Sequence, residues 1–201
     1  MRKANLCLRP SKCKIGFDQV IFLDHTLQGD CIKPQDESVG RILNTERPKT
    51  KKSCRSLLGM INFYRRYIPN CAEVIAPLTE LTKNRAPNNV EWGSEQERAV
   101  KEVKKILSSE PILKLPDLNR EIILSTDASN KSLGACMMQE YDGVKQPLMY
   151  ASKKMLPHEQ NYSVGEREAL AITCMVSISF WKGITGHWSI YRHRIPRIQG
   201  L

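Results

Sequence analysis

The sequence predicts an α+β fold: a small β-hairpin, a run of helices, then three antiparallel strands closed by a further helix. Three observations carry this. Strand-like stretches with turn residues occur in two separate places, residues 15–34 and 121–152. Between them apolar residues recur at helical spacing. Each helical stretch is bracketed by a capping residue or a proline.

Taken in order, "IGFDQVIFLDHTL" (15–27) reads as a strand pair with Asp18 and Gln19 as the expected turn, and Gly29 and Pro34 close the unit. Residues 36–47 form a modest helix ending before Pro48. Thr50 is placed to cap "KKSCRSLLGMINFYRRYIP", which Pro69 ends. Leu57, Ile61, Tyr64 and Ile68 line one face of that helix, and Lys51, Arg55, Asn62 and Arg66 share another with Gly59 between them. A basic stripe with a glycine gap admits a backbone phosphate at close range, and it equally suits a solvated surface; these residues alone leave both readings open. Pro77 suits the first turn of a short helix whose Leu78 and Leu81 pack back on the previous one. "RAPNNVEWG" marks a boundary, after which Ser94 and Glu97 predict a capping box for a helix over 94–109. Its buried stripe is Ala99, Val103, Ile106 and Leu107, and Pro111 stops it. Asp142-Gly143 predicts a hairpin turn, and Ser163 with Glu166 caps the final helix.

Length and composition fit a folded chain of one large or two small domains. The net charge of +10 is concentrated early: residues 1–90 carry 16 Lys and Arg against 8 Asp and Glu, which favours a polyanionic partner there. The seven cysteines form no C-x-x-C pair, as expected of free thiols in a reducing compartment rather than a disulfide frame or zinc site. "MRKANLCLRPSKCK" lacks the apolar segment of a secretory leader, and "ALAITCMVSISFW" is too short to span a bilayer. The expectation is an intracellular protein, cytoplasmic or nuclear, not secreted and without a membrane partner.

Two carboxylates stand out. Asp127 closes the run Ile122–Thr126, where an aspartate often serves the turn. Glu168 lies two residues past Glu166, on the side of Ala171, Ile172 and Met175, where the helix dipole alone also favours an anion. An Asp at a strand end and a Glu on the core side of the next helix together make two hard oxygen ligands of the kind Mg²⁺ takes.

Five stretches carry a resemblance. "KCKIGFDQVIFLDHTLQGDCIKP" (12–34), "LLGMINFYRRYIPNCAEVIAPLTELTK" (57–83), "VEWGSEQERAVKEVKKILSSEPIL" (90–113), "TDAS" (126–129) and "YASKKMLPHEQNYSVGEREALAI" (150–172) are similar, in order, to the Pol polyprotein of gypsy-type LTR retrotransposons. The resemblance runs from about Arg2 to about Trp181. It implies that residues 1–35 are the end of a reverse-transcriptase palm with a primer-grip-like hairpin. Residues 36–89 are implied to be the thumb, 90–120 a tether, 121–181 a partial RNase H-like domain of three strands and a helix, and 182–201 a divergent basic tail. Phe22, Leu23 and His25 of the hairpin and the stripe Lys51, Arg55, Asn62 and Arg66 would then contact an RNA–DNA hybrid or a DNA or RNA duplex. Asp127 and Glu168 would be the first two RNase H carboxylates, ligands of Mg²⁺. Other Pol segments or a second chain are implied as further partners.

The chain departs from that pattern at three places. The family's F-L-G-H hairpin has Asp24 in place of its glycine. No two aspartates are adjacent, so the polymerase Asp pair is missing. No Asp or Glu follows Glu168, and Arg192 or His193 lies where a third carboxylate is expected. The tail reads as frame-shifted, foreign or truncated sequence. The expected function is therefore a fragment of a reverse transcriptase/RNase H polyprotein that is catalytically incomplete by itself. The rival is a non-catalytic nucleic-acid-binding module or an unstable relic whose partial sheet leaves an edge exposed.

Overall fold

The computed structural model describes residues 9, 13, 15–181 and 188–192, with side chains as far as residue 177. The first strands are β1 (Gln19–Phe22), β2 (His25–Gln28) and β3 (Cys31–Pro34). Phe22 pairs with His25, so the hairpin turns at Leu23-Asp24 and not at Asp18-Gln19 as expected. Both turn residues have positive φ, 48° and 58°, the two-residue geometry that matches the twist of paired strands. Aspartate tolerates that region; leucine rarely enters it, which is why the polar Asp18-Gln19 pair was the more obvious turn.

Helix α1 (Asp36–Leu43) leads to α2 (Lys51–Phe63), which Thr50 caps: its Oγ1 accepts from the Ser53 amide at 3.2 Å. A single 3₁₀ turn, Arg65–Tyr67, continues α2 before the short helices α3 (Cys71–Val74) and α4 (Ala76–Glu80). The predicted stripe holds: Leu57, Ile61, Tyr64 and Ile68 are all buried, as is Leu78 of α4. Helix α5 (Ser94–Ser108) begins one residue away from the expected cap. Gly93 is its N-cap and Gln96 Oε1 accepts the Gly93 amide, while Glu97 instead accepts from the Trp92 indole at 2.9 Å. After α5, β4 (Leu113–Lys114) returns to pair with β3, giving a four-stranded sheet in the order β1-β2-β3-β4.

The second sheet contains β5 (Ile122–Ala128), β6 (Ser132–Tyr141) and β7 (Val144–Lys154), with the expected turn at Asp142-Gly143. Helix α6 (Val164–Trp181) packs on β5 and β6. Ser163 and Glu166 exchange the predicted bonds: the Ser163 amide donates to Glu166 Oε2 at 2.7 Å and the Glu166 amide to Ser163 Oγ at 3.4 Å. A fourth strand, β8 (Trp188–Arg192), runs parallel to β5, so the order is β7-β6-β5-β8. The three antiparallel strands and the helix are as expected, and β8, from the divergent tail, adds a strand on the other side of β5. The rest of the tail lies outside the described residues.

One apolar core runs from the helices into the second sheet. It joins Ile32, Ile42, Leu57, Ile61, Tyr67, Leu78, Val103 and Leu113 to Ile123, Cys136, Met138 and Tyr150. Polar bonds cross the same boundary. Ser152 Oγ accepts the Ala72 amide at 2.9 Å, the Arg65 guanidinium donates to the Ser152 carbonyl, and Ser132 Oγ donates to Glu73 Oε2 at 3.1 Å. Ile122, Leu124, Ala135 and Met137 form a second cluster with Met175 of α6.

Candidate nucleic-acid interface and carboxylate pair

The hairpin tip and the end of α2 meet at His25. Its ring stacks on Phe63 at 5.3 Å between centroids and 7° between planes, with Tyr64 edge-on at 5.8 Å. Its Nδ1 lies 3.0 Å from the Tyr67 hydroxyl. Beside it the Asp24 carbonyl accepts from the Tyr64 hydroxyl at 3.1 Å and from the Gln35 amide at 3.0 Å. The hairpin tip thus packs on the end of α2 and the 3₁₀ turn that follows it. Phe22 and Leu23 project from it, 61% and 70% exposed, beside the half-exposed Phe63. Burial, then the Arg66 charge, hold the His25 pKa below its ordinary value, with Asp24 opposing weakly. Asp24, the residue that departs from the family's glycine, turns its carboxylate toward Ser38 Oγ at 3.4 Å.

The basic stripe divides. Lys51 is buried, and its ammonium donates to the carbonyls of Asn84 (3.2 Å) and Ala86 (2.9 Å). It anchors the loop that returns from α4, which corrects its assignment as a phosphate contact. Arg55 is exposed but bonds the Thr82 carbonyl at 3.2 Å. Asn62 is exposed, and Arg66 is half-buried with its guanidinium over the Tyr67 ring at 5.9 Å. Gly59 is exposed, and a Cβ there would meet nothing within 4 Å, so the gap on this face opens to solvent. Lys52, which the helical pattern did not single out, is exposed at the start of α2. Phe63 and Tyr67 were missed as well; their spacing of four with Tyr64 between them is the signal that marks an aromatic cluster at a helix end.

Asp127 and Glu168 lie on elements that pack together, β5 and α6. Asp127 is exposed near the end of β5, in register with Gly134, and Glu168 is half-buried in the first turns of α6. Next to Glu168, Arg167 donates to Asn130 Oδ1 in the loop that follows Asp127. On the other side, β8 places Arg192 in register with Thr126, one residue from Asp127. Among the described residues no three His, Cys, Asp or Glu side chains gather as a metal site. A two-ion centre needs several converging carboxylates. Asp127 and Glu168 by themselves do not make up such a set.

An RNase H-like sheet fused to a helical unit and a β-hairpin defines the reverse-transcriptase class. Residues 92–184 match the family described as an RNase H-like domain found in reverse transcriptase. The chain resembles the reverse-transcriptase and RNase H region of gypsy-type retrotransposon polyproteins. It is 33% identical over 183 residues to the transposon Tf2-3 and Tf2-4 polyproteins of Schizosaccharomyces pombe, a match that covers 90% of this chain and 13% of each polyprotein. The chain therefore spans about an eighth of the length of these relatives. Among solved structures it is similar to a foamy viral protease-reverse transcriptase dRH in complex with double-stranded DNA, with a TM-score of 0.76 and 25% identity over 89% of this chain and 31% of that one. A foamy viral protease-reverse transcriptase in complex with an RNA/DNA hybrid shares the fold with a TM-score of 0.75, at 24% identity over 90% of this chain and 24% of that one.

Proposed function

We propose that this segment is the duplex-holding part of a retrotransposon reverse transcriptase. Hairpin β1–β2 and the exposed face of α2 grip the nucleic-acid backbone, and the RNase H-like sheet supports them without cutting on its own. The observation that carries this is the packing of His25 against Phe63, Tyr64 and Tyr67, which makes one surface of the hairpin tip and the end of α2. The basic excess of residues 1–90 suits a phosphate backbone, as do the double-stranded DNA and hybrid bound by the foamy viral enzymes. Two-ion hydrolysis needs several converging carboxylates, and among the described residues no three His, Cys, Asp or Glu side chains gather. Reverse transcriptases and RNase H-like domains of this kind generally use divalent metal.

The test is fluorescence anisotropy with a labelled RNA–DNA hybrid across a salt series. Binding that weakens steeply with salt, and that Arg66→Glu weakens at least tenfold, is the expected result. Unchanged affinity in that variant removes the reading.

A further inference from the structure

We propose that Tyr67 is a positioning residue that locks His25 in its Nε2–H tautomer, so that the hairpin offers a neutral hydrogen-bond donor to a backbone phosphate oxygen of bound nucleic acid. The proposal rests on the duplex-holding role assigned above to the hairpin and α2.

The tautomer follows from what the Tyr67 hydroxyl can reach. Tyr67 is fully buried, and among the described residues its hydroxyl bonds only His25 Nδ1, at 3.0 Å. If Nδ1 held the ring proton it would donate to the phenol oxygen, and the phenol's own O–H would be buried without an acceptor. Such orphaned donors are costly and rare. Donation from the phenol into the Nδ1 lone pair satisfies both groups and leaves the proton on Nε2, at the other edge of the ring. Burial raises the Tyr67 pKa far above the ordinary phenol value, so it keeps its proton to donate.

The ring is also fixed in orientation. Phe63 covers one face and Tyr64 meets it edge-on, while the ring itself remains half-exposed at the hairpin tip. The charged and titratable groups around it are Arg66 and Tyr67 from the 3₁₀ turn, Tyr64 from the end of α2 and Asp24 from the hairpin. The first two influences on the imidazole, burial and Arg66, both favour its neutral form. A neutral donor adds affinity by hydrogen bonding and displaces no counterion, so it leaves the salt slope unaltered.

The experiment uses the full chain labelled with ¹⁵N-histidine, read by long-range ¹H–¹⁵N correlation, with hybrid binding measured in parallel. Wild type should show the Nε2–H pattern at His25. Tyr67→Phe should shift the ring toward a tautomer mixture and weaken hybrid binding about three- to tenfold with an unchanged salt slope. His25→Gln, whose amide N–H replaces Nε2–H, should bind close to wild type, whereas His25→Asn should fall to the level of His25→Ala. An Nδ1–H pattern in wild type, an unmoved tautomer in Tyr67→Phe, or a Gln variant as weak as Ala would each overturn the proposal. The spectrum reports on the lock independently of binding: an Nε2–H pattern in a protein that binds no hybrid would overturn the duplex-holding role and the phosphate contact with it.

Discussion

Replacing Lys51 by methionine separates two roles that a helical projection merges. The side chain is 9% exposed, and its ammonium serves two carbonyls, Asn84 at 3.2 Å and Ala86 at 2.9 Å. Hydrogen bonds to a charged donor contribute roughly 1.5–3 kcal/mol each. The loop that carries these carbonyls is largely exposed, so they regain water when the ammonium goes, and the joint loss is about 2 kcal/mol. For a chain of this size that is a fall in Tm of roughly 4–8 °C. Methionine keeps most of the stem and its packing, so the loss reports on the bonds. A phosphate contact behaves otherwise: its removal lowers the salt slope of binding by about one unit without touching stability. Thermal melts and a salt series on Lys51→Met therefore give opposite signatures. A Tm within a degree of wild type together with a shallower salt slope would refute the anchoring role.

Three further outcomes are expected. Ser152→Ala removes the acceptor of the Ala72 amide at the boundary of helices and sheet, and costs about 1–3 kcal/mol in denaturant unfolding if that amide is left without a partner; an unchanged midpoint would contradict this. Glu159 is held below the ordinary carboxylate range first by Lys153 and then by the Leu156 amide. Because its folded pKa is depressed, this stabilisation is complete above the unfolded value of about 4.3 and fades as pH falls through the folded one. Glu159→Gln should flatten the loss of stability between about pH 5 and pH 3, and an acid limb that stays equally steep would count against it. Asp24→Gly relaxes a residue at φ 58° and removes a carboxylate beside the hairpin surface, so hybrid binding should tighten roughly threefold, and weaker binding would show that the carboxylate assists.

How much of this was legible depended on how local each determinant is. The α2 stripe of Leu57, Ile61, Tyr64 and Ile68 and the Ser163–Glu166 cap follow from spacing within one element, and both are found as expected. The hairpin turn was misplaced because Leu23 adopts positive φ against its own preference, held where the Asp24 carbonyl meets Tyr64 and Gln35. Lys51 was misassigned because its partners lie more than thirty residues away in a loop that no helical pattern reveals. The same distance hid Tyr67 from His25, and it hid the core that joins Ile61 to Tyr150. Strand β8 lies in a stretch whose sequence departs from the family, yet its parallel pairing with β5 needs only backbone groups and apolar alternation.

The most direct test is cleavage by purified protein of a hybrid it has been shown to bind, with Mg²⁺ present and Asp127→Asn alongside. Intact hybrid in both samples is the result this account predicts. Cleavage by the wild-type chain that Asp127→Asn abolishes would show a complete nuclease centre where only two carboxylates were counted.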